Sequence, residues 1–218
     1  MTIHDMPDAD AVIEIIHAAF DPDEHPGDLW LQGTFEGDES YDEIGAFKGR
    51  HDWRILESSF LDEHYTALSF FSEGGFRYYI PAYIVADLRN ELRTADPVFH
   101  LTHGFVDFST TMEVGGRTFT SSNGRTRLIN PIRYGAMTFL DYARQRLSVF
   151  CREEAAAILA YLEVAHEAPG HEYSRDAIEA AIADFWQARA SSAPDRAALR
   201  QHRAEQQLFT DALRRRES

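Results

Sequence analysis

The sequence predicts a mainly α-helical fold with a small antiparallel β-hairpin or sheet inserted near residues 105–129. Apolar residues recur at three- and four-residue spacing on both sides of this insertion, which is the pattern of helices that bury one face. Within the insertion the pattern changes to one typical of strands. The dipeptides Gly115-Gly116 and Asn123-Gly124 predict hairpin turns there.

Helices are expected at residues 8–20, at residues 50–65, from Pro81 to about residue 93, around residues 137–150 and 156–162, and from Ser174 onwards. Ser72 is a suitable N-cap for a turn that begins at Glu73. Pro81 lacks an N–H group and would clash with the carbonyl of Arg77 inside a regular helix. We therefore expect a short turn first and a new helix that begins at Pro81, where proline is tolerated.

Composition indicates one globular domain over residues 1–190, followed by a helical extension over residues 191–218. The chain has 218 residues, of which 44% are hydrophobic, and this is enough for a sizeable core. No apolar run approaches the length of roughly 20 residues that a membrane-spanning helix needs. The N-terminus lacks the basic region of a secretory signal, and a single cysteine cannot form an internal disulfide, so we expect a cytoplasmic protein.

A formal net charge of −15 argues against non-specific binding to nucleic acid or to an anionic membrane. It is compatible with a basic protein partner. Acidic residues are concentrated in a segment rich in proline and glycine, residues 21–43, which we call the acidic loop. The loop does not match a calcium-binding EF-hand, because Pro26 and Gln32 occupy the positions that require glycine and glutamate.

Two interpretations of the acidic loop remain open. Charge runs are usually solvated and have no partner. Alternatively, the loop is a docking surface for a basic protein. The candidate partner-binding residues are Asp21, Asp23, Glu24, Asp28, Glu36, Asp38 and Glu39.

The most distinctive stretch runs from Phe70 to Tyr83 and contains six aromatic residues among its fourteen. Phe76, Tyr79, Ile80 and Tyr83 recur at helical spacing, which predicts a stripe that belongs to the core. Arg77 and Tyr78 fall outside this stripe. If both were exposed, the arginine fork beside an aromatic ring would suit an anion or a peptide.

This stretch follows the motifs His25-Pro-Gly-Asp28 and Ala67-Leu-Ser-Phe70 and reads Gly75-Phe-Arg-Tyr-Tyr-Ile-Pro-Ala-Tyr83. The combination resembles an uncharacterised bacterial domain family with a hallmark similar to LSFLSPEGFRYYLPAY. Glu73-Gly74 stands where that hallmark has Pro-Glu. The resemblance covers roughly the first hundred residues and implies a bacterial origin, but it brings no catalytic residues with it.

A second group of candidate site residues is basic and surrounds the predicted hairpin. Arg125 and Arg127 alternate and are expected on one face of a strand. Together with Arg117 and Arg133 they could neutralise nearby carboxylates, protect a sheet edge or bind an anion.

Histidines and the cysteine raise the possibility of metal or nucleophilic chemistry. His100 and His103 are three residues apart, and His166 and His171 are separated by Pro169-Gly170, so neither pair forms the HExxH motif of zinc enzymes. Cys151 begins an apolar helical pattern, where a small buried residue is the usual explanation. The sequence therefore predicts no catalytic residue, no metal ligand and no cofactor.

Three classes of function follow from these observations. The favoured class is a non-enzymatic binding factor, of the immunity or antitoxin type, whose acidic surface meets a basic protein. The alternatives are an enzyme with a metal-dependent site built from the four histidines above, and a sensor of a small anionic ligand that uses Arg77 and the arginines around the hairpin.

Overall fold

The computed structural model describes residues 8–35 and 37–217, without the side chains of residues 108–110, 121–123, 206, 207 and 209–217. Its helices are α1 (Ala9–Ala19), α2 (Glu39–Gly45), α3 (Ser58–Glu63), α4 (Ala67–Phe70), α5 (Glu73–Leu88), α6 (Pro97–Thr102), α7 (Pro131–Tyr134), α8 (Phe139–Leu147), α9 (Arg152–Glu167), α10 (Arg175–Ala181), α11 (Gln187–Ser192) and α12 (Arg196–Glu217). The prediction of a mainly α fold with one small hairpin is confirmed. None of the described helices is both long and apolar enough to span a bilayer.

Helix α5 forms the centre of the core. Every residue from Gly75 to Ala86 is buried, so the helix is enclosed on all sides rather than along one stripe. Helices α1, α3, α6 and α9 contact it, and the hydroxyl groups of Tyr78, Tyr79 and Tyr83 reach backbone carbonyls of neighbouring segments. The interpretation of the aromatic stripe as core agrees with this burial.

Pro81 lies inside α5, so the expected break before this residue is wrong. Ser72 does cap the helix, since its Oγ accepts a hydrogen bond from the N–H of Gly75 at 3.0 Å. An internal proline costs about 3 kcal/mol in an isolated helix. Here the residues on both sides of Pro81 are buried, and their packing holds the two halves of the helix in line.

The segment predicted as a helix at residues 50–65 is also shorter than expected. A 3₁₀ turn at Trp53–Ile55 precedes α3, and the chain between them is extended at Leu56 and Glu57. The indole of Trp53 is buried, so the apolar periodicity located a core position correctly but overestimated the helix.

The β-hairpin consists of β1 (Phe108–Val114) and β2 (Arg117–Asn123). Gly115 and Gly116 connect the strands with φ of +59° and +75°, which glycine adopts readily and which a two-residue hairpin turn requires. That turn is confirmed. Asn123-Gly124 is not a second hairpin turn, because the sheet has two strands among the described residues and β2 ends at Asn123.

Candidate functional site

Arg77 is the buried centre of an ion-pair network that joins three distant parts of the chain. Its guanidinium donates to both carboxylate oxygens of Glu154, from Nε to Oε2 at 2.9 Å and from Nη2 to Oε1 at 2.6 Å. Nη2 also donates to Oε2 of Glu24 at 2.7 Å. Burial opposes the charged forms, but the opposite charges outweigh it, so the pKa of Arg77 is raised and that of Glu24 is lowered.

The anion or peptide contact considered for Arg77 and Tyr78 required both side chains to be exposed, and the structure buries both. Two carboxylates already occupy the guanidinium of Arg77. The hydroxyl of Tyr78 lies 2.8 Å from the carbonyl oxygen of Pro22 and 2.6 Å from that of His51. Burial raises the pKa of Tyr78 to about 12. These two residues therefore tie the acidic loop to the core.

Backbone hydrogen bonds fix the middle of the acidic loop to the start of α5. The N–H of Ser72 donates to the carbonyl of Leu31 at 2.7 Å, and the N–H of Gly33 donates to the carbonyl of Phe70 at 2.8 Å. The hydroxyl of Ser72 donates to the carbonyl of Trp30 at 2.5 Å. This part of the loop is consequently held in one conformation on the core.

The acidic candidates divide into paired and exposed residues. Asp21 accepts a hydrogen bond from Arg200, and Glu24 accepts from Arg200 at 3.3 Å and from Arg203 at 3.4 Å. Both arginines belong to α12, so the chain's own C-terminal helix covers the beginning of the acidic loop. An open cleft of about 430 Å³ lies between these two arginines and the acidic loop.

The other acidic candidates have different surroundings. Asp23, Asp38 and Glu39 are exposed. Asp28 is half-buried and accepts hydrogen bonds from the N–H of Gly49 at 3.2 Å. Glu36 lies outside the described residues.

His25, Asp28 and His51 form a cluster whose ligand-type atoms lie within 4.8 Å of one another. His51 Nε2 is 2.9 Å from Oδ1 of Asp28, and the hydrogen bond from His51 lowers the pKa of the Asp28 carboxyl. In His25, however, Nδ1 accepts the N–H of Gly27 at 3.0 Å. The ring proton of neutral His25 therefore lies on Nε2, which faces the hydroxyl of Tyr79 at 3.1 Å.

This tautomer leaves His25 no lone pair with which to bind a metal ion at Nε2. The cluster is better described as a hydrogen-bonded link between the acidic loop and α5. It brings the His25-Pro-Gly-Asp28 motif against the aromatic motif of α5, although the two are far apart in the sequence.

Large apolar side chains project from the acidic loop into solvent, and the sequence analysis did not identify them. Leu29 is 91% exposed and Trp30 is 72% exposed, and Phe35 and Tyr41 are exposed as well. Leu29 and Trp30 lie in a 3₁₀ turn, Asp28–Trp30, that follows Gly27. We call these four side chains the apolar patch. No local signal distinguishes them, since Leu31 in the same loop is buried and Tyr41 lies in α2, a helix that the sequence did not predict.

The four basic candidates around the hairpin lie in different elements of the fold. Arg117 is exposed in β2 next to the Gly115-Gly116 turn. Arg125 and Arg127 lie beyond the end of β2, so the expectation that they share a strand face is wrong. Arg125 forms an ion pair with Asp184 at 2.7 Å, and Arg133 lines a separate cleft.

The four histidines of the enzyme hypothesis do not form a common metal cluster among the described residues. His166 contacts Glu167 and Glu179, whereas His171 pairs with Asp87 at 3.2 Å. His100 is packed near Phe76, and burial lowers its pKa to about 3.

Cys151 is fully buried at the N-terminus of α9. Burial raises the pKa of its thiol to about 11. Both features are unfavourable for a nucleophile at neutral pH.

Comparison with known proteins places these features in a family context. The model of a family of unknown function, DUF6714, matches residues 8–190. The match extends well beyond the first hundred residues to which the sequence resemblance was restricted, and it ends before α12 begins. No curated protein and no solved structure matches the chain.

Proposed function

The chain belongs to the family of unknown function DUF6714, and we propose that it is a non-enzymatic binding factor of the bacterial cytoplasm that holds a basic protein partner on its acidic loop. The observation that carries this proposal is the exposure of Leu29 (91%) and Trp30 (72%) in a strongly acidic segment. Exposed apolar groups with a polar rim are typical of protein-binding surfaces, and tryptophan is enriched at their energetic centres.

The attachment of the loop to α5 supports the same function. Because the hydroxyl and the backbone N–H of Ser72 hold the carbonyls of Trp30 and Leu31, a partner would meet Leu29 and Trp30 on a backbone that is already ordered. Binding to a preorganised surface loses less conformational entropy than binding to a mobile loop.

Charge complementarity favours a basic partner over a neutral one. The chain carries a net charge of −15, and Asp38 and Glu39 are exposed beside the apolar patch in sequence. Arginines of α12 already pair with Asp21 and Glu24, so carboxylates of this loop do accept guanidinium groups. A partner with arginines around an apolar pocket fits this chemistry, and the opposite charges would mainly accelerate association.

The test is affinity capture from the native cells with matched variants, at low and at high salt, followed by mass spectrometry. We expect the wild-type protein to recover one basic protein near stoichiometrically and to lose it at high salt. Trp30→Ala should reduce recovery at least tenfold, since central aromatic residues contribute about 2 kcal/mol or more to binding. Ile55→Ala is the control, because Ile55 is 76% exposed but lies outside the acidic loop.

A second pair of variants separates the loop charges from the net charge. D38N/E39Q and E14Q/E163Q change the net charge equally, but only the first pair lies in the acidic loop. We expect the first to weaken capture and the second to leave it unchanged. Equal recovery by both pairs and by Trp30→Ala would show that the partner binds elsewhere, and recovery of the bait alone would contradict the binding function itself.

A further inference from the structure

His25 connects the turn Asp28–Trp30 to helix α5, and both of its ring nitrogens form hydrogen bonds. Nδ1 accepts the N–H of Gly27 at 3.0 Å, and Nε2 lies 3.1 Å from the hydroxyl of Tyr79. That hydroxyl donates to the carbonyl of Arg50 at 2.9 Å, so it accepts the proton that neutral His25 carries on Nε2. Both contacts therefore require the neutral form of His25, with the lone pair on Nδ1.

Gly27 is the residue on which the turn begins. It is the N-cap of Asp28–Trp30, and its carbonyl accepts the N–H of Trp30 at 2.9 Å. The hydrogen bond from the Gly27 N–H to His25 consequently fixes the entrance of the turn. Ser72 fixes the exit from the side of α5, through the two carbonyls described above. Two exposed side chains of the apolar patch lie between these anchors.

Protonation of His25 is incompatible with the first anchor. A protonated imidazole has an N–H group on each ring nitrogen and no acceptor. Nδ1–H would then face the N–H of Gly27 at 3.0 Å, so a hydrogen bond would be replaced by a contact between two donors. Asp28 would still be bound to the N–H of Gly49. We therefore expect a local opening at Gly27 rather than release of the whole acidic loop.

The groups that surround His25 oppose its protonation in the folded state. Its side chain is 10% exposed, the ring of His51 lies 4.4 Å away, and the rings of Tyr78 and Tyr79 pack against it from α5. Burial and, to a smaller extent, His51 lower the pKa of His25, and Asp28 at 4.0 Å from Nε2 offsets this only in part. Further charged groups line the cleft beside α12, namely Asp23, Glu24, Arg77, Arg200 and Arg203.

We propose that His25 is a pH-dependent lock on the turn Asp28–Trp30, which the neutral imidazole closes and the protonated imidazole opens. The lock would make the order of the apolar patch depend on pH, and in this respect the inference rests on the proposed function. An ordinary histidine has a pKa of about 6.5. Because the folded state favours neutral His25, the open turn gains population as the pH falls below this value.

Amide hydrogen exchange of the full chain, followed by NMR at pH 7.5 and pH 5.5, measures the opening. Rates are expressed as protection factors, which remove the intrinsic dependence of exchange on pH. We expect the protection of the Gly27 and Trp30 amides to fall about three- to tenfold at the lower pH, since each opening takes up one proton. The amide of Ser72 donates to the carbonyl of Leu31 and should keep its protection.

Two variants separate His25 from its neighbour His51, because histidine is the side chain that ordinarily changes charge in this pH range. His25→Asn keeps an acceptor for the N–H of Gly27, since an asparagine side chain hydrogen-bonds the backbone two residues on, but it does not titrate. Its protection at Gly27 should be the same at both pH values. His51→Gln should retain the wild-type response. Circular dichroism checks that both variants fold.

Three results would overturn the proposal. The first is wild-type protection at Gly27 that does not change with pH. The second is an equal loss of protection in His25→Asn, or no loss in His51→Gln, since either would assign the response to another group. The third is a proton on Nδ1 of His25 at pH 7.5, measured by NMR of the ring nitrogens. All of these readouts use the protein without a partner, so failure to capture a basic protein would contradict the proposed function and leave the lock standing.

Discussion

Arg77 shows how a side chain that looks like a surface residue in the sequence becomes a structural one. It falls outside the aromatic stripe of α5, and a charged residue in that position is usually exposed. Its main partner, Glu154, lies 77 residues further along the chain, at the start of α9. No local pattern reports such a pair, so the sequence could identify the buried stripe but not the charge that packs beside it.

Replacement of Arg77 tests this role. Arg77→Met should lower the free energy of unfolding by about 3–5 kcal/mol, because it leaves the carboxylate of Glu154 buried without its partner. The measurement is urea unfolding at pH 7. The double variant R77M/E154Q should recover most of the loss, since glutamine can still accept the N–H of Cys151 that now reaches Glu154 at 2.9 Å.

The matched control is Arg54→Met, which removes an exposed ion pair with Asp52 and should change stability by less than the error of the measurement. If Arg77→Met were as stable as Arg54→Met, the network would contribute little to the fold. An R77M/E154Q variant no more stable than R77M would show that lost packing, rather than the unpaired charge, determines the cost.

At the scale of elements, the two glycines at the start of α5 have opposite roles. A Cβ at Gly75 would lie 2.8 Å from the carbonyl oxygen of Leu31, whereas a Cβ at Gly74 would meet its nearest neighbour, Pro26, at an ordinary 3.4 Å. Gly75 therefore allows the acidic loop to approach the helix closely. Gly74 has no comparable constraint.

Alanine substitutions separate these roles by thermal or urea unfolding. Gly75→Ala should destabilise the protein by about 1–3 kcal/mol, because it forces the loop away from α5. Gly74→Ala should be neutral or stabilising by up to about 1 kcal/mol, because alanine has the higher helix propensity. Equal stability of the two variants would contradict the close contact between the acidic loop and α5.

The sequence predicted correctly those features that depend on interactions within a few neighbouring residues. Ser72 caps α5 and the Gly115-Gly116 dipeptide turns the hairpin, because both depend on hydrogen bonds or dihedral angles within a few residues. Pro81 shows the limit of such reasoning, since tertiary packing overcomes its local preference. Asp28 and His51 likewise meet only after folding. The exposure of Trp30 was not predicted, because it depends on which distant segments pack over the acidic loop.

At the scale of the molecule, α12 joins the end of the chain to the acidic loop. Arg200 and Arg203 are about half exposed, and the residues they contact, Asp21 and Glu24, lie almost a whole chain length away. Exposed ion pairs contribute only about 0.2–1 kcal/mol each, and salt weakens them. The helix is therefore held weakly enough to compete with the proposed basic partner for the same carboxylates.

Hydrogen exchange tests this competition. R200Q/R203Q should increase amide exchange over residues 196–205 by about two- to fivefold at low salt, which corresponds to the loss of up to about 1 kcal/mol. The wild-type protein should approach the same rate at high salt, whereas the variant should show little salt dependence. Arg117→Gln, the control with the same kind of substitution on the hairpin, should exchange like the wild type.

If the exchange rates were identical in the wild type and in R200Q/R203Q at both salt concentrations, the ion pairs would not hold α12. If the variant instead exchanged faster and also captured more of the basic partner, α12 would be an internal competitor for the surface on which that partner binds.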